Sequence, residues 1–367
     1  MPKTNRLKIF VDCHVLDGHS QGTTTYLKGL YKELIKHSEI DFFFAACDVE
    51  NLQHVFGSYA NVSYLKYSSH SKIYRLLIDI PRLIIKSGAD YAHFQYIVSP
   101  IKCCKYIVTI HDVLFLDFPK YFPTSYKLKN KLLFGTSARF SDIVLTVSSY
   151  SQKQIAKHFK VANIGITPNG IDPEYFHDYN QAEVRQHVKS KHGLSNYWLY
   201  VSRREPRKNH LSLLRAFVED RHFVEYQLVF VGIDALADVA YNNYWNKLEK
   251  SIQQRVISLQ QVSSDDLPNI VRASSLSVYP SFAEGFGIPP LESLAAGVPT
   301  ICSNATAMAD FTIFGDLAFD PHDLNALKSA IKRALANPNV GDKRQKVRDQ
   351  YSWMVAAKSL LDKLTCG

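Results

Sequence analysis

The chain has 367 residues, of which 46% are hydrophobic and 21% are charged, with six cysteines and a formal net charge of +9. This length has room for two domains with cores of their own, and the composition is typical of a soluble globular protein. No apolar run reaches the roughly eighteen residues of a membrane-spanning helix. Neither a signal peptide nor a Cys-x-x-Cys pair is recognisable, which predicts a cytoplasmic protein without a zinc site or a disulfide framework.

The positive charge lies entirely in the first half of the sequence. Residues 1–170 contain 21 Lys and Arg against 12 Asp and Glu, whereas residues 171–367 are balanced. Two basic segments, 72–86 and 120–134, mix cations with large apolar or aromatic side chains, and either could lie on an anionic membrane surface. For 72–86 the alternative is an amphipathic core helix with a solvated basic face. No nucleic-acid-binding motif accompanies the charge, so nucleic acid is not a predicted partner.

In chain order, the first half alternates short apolar runs with amphipathic segments, which predicts parallel strands covered by helices. The expected elements are strand Leu7–Val11, helix Gly22–His37, and strands Phe42–Ala46, Val62–Leu65, Tyr91–Phe94, Tyr106–Ile110 and Ile143–Val147. The turn-rich stretch 168–173 then indicates a linker.

The second half repeats this alternation, so it predicts a second α/β domain. Its expected elements are strands Trp198–Val201, Gln227–Val231, Val256–Leu259, Ser277–Tyr279 and Thr300–Cys302, with helices Leu211–Phe217, Tyr241–Ile252 and Asp265–Ala273 between them. A last helix is expected around Met354–Leu364.

One loop of the second half concentrates the residues that suit a phosphorylated ligand. The segment EGFGIPPLE, residues 284–292, follows an apolar strand and precedes a helix. Its glycines allow backbone amides to approach a ligand, and a helix N-terminus favours phosphate. Glu284 and Glu292 bracket this loop, so one carboxylate could face a sugar and the other a ribose. The alternative is a plain strand–turn–helix unit with a capping acid.

The longer segment YPSFAEGFGIPPLESLAAGVPTICSN, residues 279–304, resembles the signature of the family 4 glycosyltransferases. The segments VTIHDVLFLDFPKYF at 108–122, TPNGID at 167–172, VSRREPRKN at 201–209 and YSW at 351–353 follow the order of that family. The resemblance covers nearly the whole chain. It implies an α/β protein of the GT-B fold, with two Rossmann-like doubly wound domains that face a central cleft and a C-terminal helix that crosses back to the N-terminal domain.

The domains implied by the resemblance are an acceptor-binding domain, 1–170 plus 350–367, and a nucleotide-sugar-binding domain, 171–349. The implied catalytic residues are Glu284, His111, Lys208 and Arg203. The implied donor-binding residues are Glu292, Gly285, Phe286, Gly287, Ile288 and Gly22.

The family is also the source of the expected chemistry. The resemblance implies a retaining, metal-independent hexosyltransferase that needs no cofactor besides its nucleotide-sugar donor. The details EPRKN and FGIPPLE look most like bacterial enzymes that use GDP-mannose in polysaccharide and O-antigen assembly. The expected acceptor is a hydroxyl of a lipid-linked oligosaccharide, which would place the enzyme at the inner face of the plasma membrane. In this reading the cations of the loop at 201–209 stabilise the departing diphosphate.

Three other functions remain compatible with these residues. They are a UDP-hexose-dependent transferase that acts on a soluble acceptor, a nucleotide-sugar 2-epimerase, and a protein that binds nucleotide sugars without turnover. Nucleotide release, with and without an acceptor, distinguishes among them.

Overall fold

The computed structural model describes residues 6–18 and 22–365, which divide into two compact units. Unit 1 comprises Met1–Gly170 and Trp353–Gly367, and unit 2 comprises Ile171–Ser352. The C-terminal segment of unit 1 thus begins at Trp353 and not at the expected residue 350. None of the helices in the described residues combines the length and the apolar character that crossing a bilayer requires.

Unit 1 is built on a parallel sheet. Its strands are β1 (Leu7–Asp12), β2 (Ile40–Ala46), β3 (Val62–Lys66), β4 (Tyr91–Gln95), β5 (Lys105–Thr109), β6 (Ile143–Thr146) and β7 (Gly165–Ile166). In the described residues the strand order is β3-β2-β1-β4-β5-β6-β7. Every residue of β4 is buried, as expected for a parallel strand with both faces covered.

The helices that cover this sheet come from the intervening segments. They are α1 (Gly22–Leu34), α2 (Val49–Phe56), α3 (Lys72–Tyr74), α4 (Ile80–Ser87), α5 (Leu114–Asp117), α6 (Thr124–Phe140) and α7 (Ser149–Phe159). A five-residue π-helix, Arg75–Asp79, joins α3 to α4. Residues 72–87 therefore form one continuous helical segment.

Unit 2 repeats the parallel architecture. Its strands are β8 (Tyr197–Val201), β9 (Gln227–Val231), β10 (Val256–Leu259), β11 (Leu276–Tyr279), β12 (Thr300–Ser303) and β13 (Ala318–Phe319), in the order β10-β9-β8-β11-β12-β13 within the described residues. Its helices are α8 (Gln181–His192), α9 (His210–Glu219), α10 (Val239–Trp245), α11 (Lys250–Gln253), α12 (Leu267–Ala273), α13 (Ile288–Ala295), α14 (Leu324–Ala336) and α15 (Lys343–Gln350).

The expected helix over Tyr241–Ile252 is wrong, because the structure has two short helices there, α10 and α11. The chain turns between them, and α11 starts after Glu249, whose backbone is extended. The two-residue strands β7 and β13 were not expected. Each adds only two register pairs to its neighbour, Leu145↔Gly165 and Thr146↔Ile166 in unit 1 and Cys302↔Ala318 and Ser303↔Phe319 in unit 2, so neither carries a periodic apolar signal.

The final helix, α16 (Trp353–Thr365), packs on α1 and so belongs to unit 1. Its first residue, Trp353, is buried against two glycines. A Cβ built on Gly29 would lie 2.0 Å from the Trp353 ring, and one built on Gly170 would lie 2.4 Å from the Trp353 backbone nitrogen. Only glycine at these two positions leaves enough space for the Trp353 indole to pack between them.

Both sheets reverse their strand order beside the first strand of the unit. In unit 2 this point lies between β8 and β11, and in unit 1 it lies between β1 and β4. Open α/β sheets bind ligands beyond the carboxyl ends of the strands at such a reversal, because the connecting segments leave a crevice there. The loops after β8 and β11 are therefore the first place to look for a site.

Candidate active site

The loop after β8 is held in place by its own backbone and by a buried asparagine. Residues 206–208 form one turn of 3-10 helix, followed by Asn209 in the left-handed region at φ +58°. The Asn209 side chain donates to the carbonyls of Pro280 and Pro321, at 3.0 and 3.1 Å. The Tyr200 hydroxyl donates to the Lys208 carbonyl at 2.7 Å. The loop thus projects Arg207 and Lys208 from a rigid base.

These cations meet Glu284, which lies in the loop after β11. Lys208 Nζ lies 2.5 Å from Glu284 Oε1, and Arg207 contacts Glu284 Oε2 at 3.1 Å. Arg207 also pairs with Glu205 at 2.7 Å. All four side chains are at most 14% exposed. The structure therefore brings the expected Glu284 and Lys208 together and adds Arg207 between two carboxylates.

Two hydroxyl groups complete the surroundings of Glu284. The Ser281 hydroxyl donates to Glu284 Oε1 at 2.7 Å, and the Glu284 amide donates to the Thr306 hydroxyl at 2.8 Å. Neither hydroxyl was expected from the sequence. The signal available for Ser281 was a polar residue immediately beyond a buried strand, which is too common to be specific.

The charges around Glu284 decide its ionisation. Burial by itself would raise the pKa of this carboxyl, but the neighbouring Lys208 and Arg207 charges outweigh burial and lower the pKa to about 2. Burial lowers the pKa of Lys208, as does the Arg207 charge, while Glu284 works against both. Glu284 is consequently an ionised hydrogen-bond acceptor at neutral pH.

The glycine loop leads from Glu284 into α13. Gly287 precedes the helix at φ +101°, a conformation that residues with a side chain rarely adopt. Gly285 and Phe286 are buried, and Phe286 packs edge-on against Phe311 with ring centroids 5.4 Å apart. Ile288 begins the helix. The Phe286 side chain therefore packs in the interior of unit 2. Only the backbone of this loop is left to contact a ligand.

Prolines limit which amides the start of α13 can present. Pro289 and Pro290 occupy the second and third helical positions and carry no N–H. The amides of Gly287 and Ile288 are the donors that the first helical turn leaves without an intrahelical acceptor. This concentrates the anion-binding capacity of the helix on the glycine loop itself.

Glu292 lies farther along α13, and its surroundings are the opposite of those of Glu284. Among residues 6–18 and 22–365, its carboxylate has no hydrogen bond or ion pair. Burial, with a smaller effect of the Asp172 charge, raises its pKa to about 8. No hydrogen bond or ion pair joins it to Glu284 or Lys208. A half-buried carboxyl without a hydrogen-bond partner is suited to bind a polar ligand.

Arg203 lies apart from this cluster. Its side chain is 54% exposed, and its nearest acid is Glu205 at 3.9 Å. Its neighbour Arg204 pairs with Asp234 at 3.1 Å and donates to the Ser258 hydroxyl at 2.7 Å, and it stacks over the Tyr241 ring. Arg204 is therefore held by its own unit, whereas Arg203 projects a guanidinium toward solvent.

In unit 1, His111 follows β5 and is buried. Its Nε2 lies 2.8 Å from the Gln95 amide oxygen at the end of β4, within hydrogen-bond distance. The ring packs edge-on against Tyr26, with centroids 4.9 Å apart. Burial lowers the pKa of His111 to about 3, which keeps the ring neutral at physiological pH. Gln95, which contacts this ring nitrogen, was not expected from the sequence.

Gly22 is the first residue of α1 and is exposed, with no atom within 4 Å of the position of a Cβ. Asp12, at the end of β1, is fully buried and accepts from the Tyr67 hydroxyl at 2.8 Å. It also lies 3.0 Å from His14 Nδ1 and 3.9 Å from Arg75 Nε. Asp12 thus holds the segments that follow β1 and β3 around one carboxylate.

Comparison with known proteins agrees with this architecture. The family model of glycosyltransferase family 4 matches residues 20–175, and that of group 1 glycosyl transferases matches residues 183–351. The two matches together span most of the chain.

Three similar proteins illustrate the relationship. O-antigen chain mannosyltransferase B of Escherichia coli is 29% identical, over 86% of this chain and 87% of its own. Sucrose-phosphate synthase from Thermosynechococcus elongatus has a TM-score of 0.76 at 19% identity, with 98% of this chain and 100% of that chain covered. Anabaena HepE in complex with UDP-glucose has a TM-score of 0.73 at 14% identity, with 99% and 100% covered.

These matches agree with the two parallel sheets and with a GT-B fold. The order of the motifs, the two family matches and the cluster of Glu205, Arg207, Lys208 and Glu284 beyond β8 and β11 are all consistent with a glycosyltransferase. The chain belongs to the family 4 glycosyltransferases.

Proposed function

We propose that this glycosyltransferase moves mannose from GDP-mannose to a hydroxyl of a lipid-linked oligosaccharide, with retention of anomeric configuration. The single observation that carries the transfer chemistry is the cluster in which Lys208 and Arg207 meet Glu284. The name of the E. coli relative supports mannose as the sugar. We further propose that the reaction takes place in the cytoplasm, at the inner face of the membrane that anchors the acceptor.

Glu284 is suited to hold sugar hydroxyls. Its low pKa leaves it ionised, so both oxygens accept hydrogen bonds. The same charge balance makes it a weak base and a poor nucleophile, because Lys208, Arg207 and Ser281 occupy three of its roughly four lone-pair positions and leave one for a sugar hydroxyl. We therefore assign Glu284 to positioning the donor sugar and not to forming a covalent intermediate.

The diphosphate would be held by Lys208, Arg207 and the amides around Gly287. The formal charges of Glu205, Arg207, Lys208 and Glu284 sum to zero, so an arriving diphosphate needs further positive charge. Exposed Arg203 can supply it. Cations and amides fixed before the reaction stabilise the charge that develops on the leaving group. This arrangement is also why we expect turnover to be independent of metal ions, which activity in excess EDTA tests directly.

Glu292 is the proposed acceptor of ribose hydroxyls. A ribose offers two neighbouring O–H donors, and the ionised carboxylate offers two oxygens without partners in the described residues. Binding would then favour the ionised form and lower the raised pKa of the free protein. Gln95 and Tyr26 contact the His111 ring and burial keeps it neutral, and we assign this ring to the surroundings of the reacting sugar.

The proposed step keeps donor and acceptor on the same face of the sugar. The bond between the anomeric carbon and the diphosphate oxygen breaks, and the acceptor oxygen bonds to that carbon. The acceptor proton passes to the departing diphosphate, which makes a separate protein base unnecessary. Product analysis by NMR tests retention, because the one-bond coupling constant between C1 and H1 of the transferred mannose reports the anomeric configuration of the new linkage.

The first experiment measures nucleotide release from purified protein with GDP-mannose, UDP-glucose and UDP-N-acetylglucosamine, with and without membrane lipid extract. We expect release from GDP-mannose that the extract accelerates and that Glu284→Ala abolishes. The matched control is Glu225→Ala, which removes an exposed glutamate of the same unit. Release that prefers a UDP-sugar would reject GDP-mannose, and epimerisation of a UDP-sugar without acceptor would reject transfer.

A further inference from the structure

Two helical segments of unit 1 carry apolar side chains that point away from the core. The inner side of residues 72–87 places Ile80 and Ile84 in the same hydrophobic cluster that receives Phe134 and Ala138 from α6. Both segments are therefore anchored on one core. We call their exposed side chains the basic apolar face, defined by residues 72–87 and 124–140.

Most of the exposed large apolar side chains in the described part of unit 1 belong to this face. Leu128 and Leu132 are 68% and 67% exposed and lie one helical turn apart on α6. Ile73 and Ile85 are each 70% exposed on the other segment. The face also includes Tyr74, Leu77, Ile78, Tyr126 and Phe140, all between 39% and 46% exposed. Exposed large apolar side chains grouped on two segments in this way are typical of an interaction surface.

The charge on the face has one sign. Lys72, Arg82, Lys86, Lys129 and Lys131 are exposed and make no hydrogen bond or ion pair with any residue that the structure describes. No acid occurs in α6. The one acid of 72–87, Asp79, is buried and accepts from the Ser68 amide and hydroxyl at 2.9 and 2.6 Å. The cations of the face are thus left for a partner.

Three of the cations of unit 1 converge where the segments begin. Burial lowers the pKa of Lys72, and the charges of Lys129 and Arg75 lower it further. Arg75 is the member that turns inward, toward Asp12. Within the π-helix at 75–79, Arg75 and Asp79 are turned inward, whereas Leu77 and Ile78 remain exposed.

We propose that unit 1 docks on an anionic phospholipid bilayer through the basic apolar face. The apolar side chains would enter the boundary between headgroups and acyl chains, and the unpaired lysines and arginines would contact lipid phosphates. The inference deepens the proposed function, since it concerns how the enzyme reaches a lipid-linked acceptor.

The composition of the face favours a bilayer over a protein partner. Protein interfaces are depleted of lysine in their cores, whereas helices that lie on membranes combine lysine with leucine, isoleucine and aromatic residues. Lysine stems can also lie along apolar surface while the ammonium groups reach the phosphates. A second copy of this chain would bring its own unpaired cations to the contact, with no acid in α6 to meet them.

The test is co-sedimentation of the full chain with vesicles of phosphatidylcholine, alone or with an equal part of phosphatidylglycerol. We expect binding to the anionic vesicles only, weakened by salt. Leu128→Ser/Leu132→Ser and Lys72→Gln/Lys129→Gln should each lower the partition coefficient by on the order of tenfold.

The matched controls lie in unit 2. Val224→Ser/Val239→Ser removes two apolar side chains that are each 68% exposed, and Lys250→Gln/Lys346→Gln removes two exposed lysines without ion pairs. These variants should bind as the unchanged protein does. Equal binding to both kinds of vesicle, or losses that match in variants and controls, would overturn the proposal. So would light scattering that shows the leucine variant to dissociate a dimer.

Failure of docking can be told apart from failure of the proposed function. The substituted residues of the face belong to none of the groups assigned to donor binding or transfer. Nucleotide release from GDP-mannose in solution should therefore stay within about twofold of the unchanged protein in the leucine variant, while transfer to acceptor embedded in anionic vesicles should fall with vesicle binding.

Discussion

At the scale of single residues, the two glutamates of the glycine loop show how surroundings separate one chemical group into two roles. Glu284 contacts the side chains of Lys208 and Arg207, and its pKa is lowered to about 2. Glu292 has no hydrogen-bond or ion-pair partner in the described residues, and its pKa is raised to about 8. The sequence presents both as the same residue type, eight positions apart. Their opposite pKa shifts follow from these different surroundings and agree with the different ligand contacts that we propose for them.

Glu292→Gln should stabilise the free protein in a pH-dependent manner. The pKa of Glu292 is higher in the folded protein than its ordinary 4.5, so the folded state loses stability as the pH rises from about 4.5 to about 8. Glutamine removes this loss. We expect Tm to increase by roughly 2–6 °C near pH 9 and to change little near pH 4.

Thermal unfolding across that pH range, without ligand, is the measurement. Glu225→Gln, which alters an exposed glutamate of the same unit, serves as the control. A Glu292→Gln gain that is the same at both ends of the range would refute the raised pKa. Nucleotide affinity should move the other way, with the variant weaker because it loses an acceptor for ribose hydroxyls.

Variants of Arg207 and Arg203 distinguish a residue that stabilises the fold from one that only contacts the ligand. Arg207→Gln should lower the free energy of unfolding by about 2 kcal/mol or more, because Glu205 and Glu284 lose a largely buried partner. Arg203→Gln should change it by less than about 0.5 kcal/mol, since its side chain is mostly exposed. Urea unfolding measures both.

Donor turnover adds the second readout for this pair. We expect both arginine variants to lose donor turnover. Arg203→Gln should do so while its free energy of unfolding stays unchanged. An Arg203→Gln protein that turns over GDP-mannose normally would remove Arg203 from the diphosphate site.

At the scale of elements, the start of α13 determines what the glycine loop can bind. The sequence predicts a helix over Leu291–Ala296 with Pro290 suited to its first turn, whereas the structure begins the helix at Ile288. Both prolines fit the first turn because their missing N–H groups would have no intrahelical acceptor there. What the sequence does not reveal is that Gly287 reaches φ +101° close to Met308.

Gly287→Ala should damage the loop through its backbone. An alanine there would be strained at φ +101°, and its Cβ would lie 3.0 Å from the Met308 side chain. We expect a loss of about 1–3 kcal/mol in the free energy of unfolding, together with loss of nucleotide binding. Gly22→Ala is the control for stability only, because nothing lies within 4 Å of its Cβ position.

Isothermal titration with the nucleotide measures the binding part of this prediction. Normal affinity in Gly287→Ala would mean that the amides of this loop do not hold the phosphates. Weak binding in Gly22→Ala, with unchanged stability, would support the sequence-based assignment of Gly22 to the donor site.

At the scale of the whole molecule, the chain returns to unit 1 after completing unit 2. The return depends on small residues that meet one large residue, since Gly29 and Gly170 accommodate Trp353. Gly29→Ala should destabilise unit 1 by about 1–3 kcal/mol, because the added methyl would lie 2.0 Å from a buried ring and overpack the contact. The usual gain from replacing a helical glycine by alanine is smaller than this.

Denaturant unfolding followed by far-ultraviolet circular dichroism measures this effect, because that signal does not depend on Trp353. Trp353→Leu should rescue part of the loss in Gly29→Ala by leaving room for the methyl. Gly18→Ala, which meets nothing within 4 Å, is the control. A Gly29→Ala protein as stable as the unchanged one would mean that the helices separate without cost.

The sequence by itself determined the elements and the family. Short apolar runs that alternate with amphipathic segments specify parallel strands under helices, and local motifs such as EGFGIPPLE carry both their turn chemistry and their resemblance in a few consecutive residues. The confirmed GT-B fold and the glycosyltransferase family could therefore be predicted. The proximity of Glu284 to Lys208 was expected only through that resemblance, because 76 positions separate the two residues.

Only the tertiary structure decided which side chains share a space. Arg207, Ser281 and Thr306 surround Glu284 because loops after β8, β11 and β12 meet at one edge of the sheet, and this meeting leaves no mark on local sequence. The opposite pKa shifts of Glu284 and Glu292 have the same origin. Burial and charge depend on every neighbouring element, whereas periodicity and turn chemistry depend on residues adjacent in the chain.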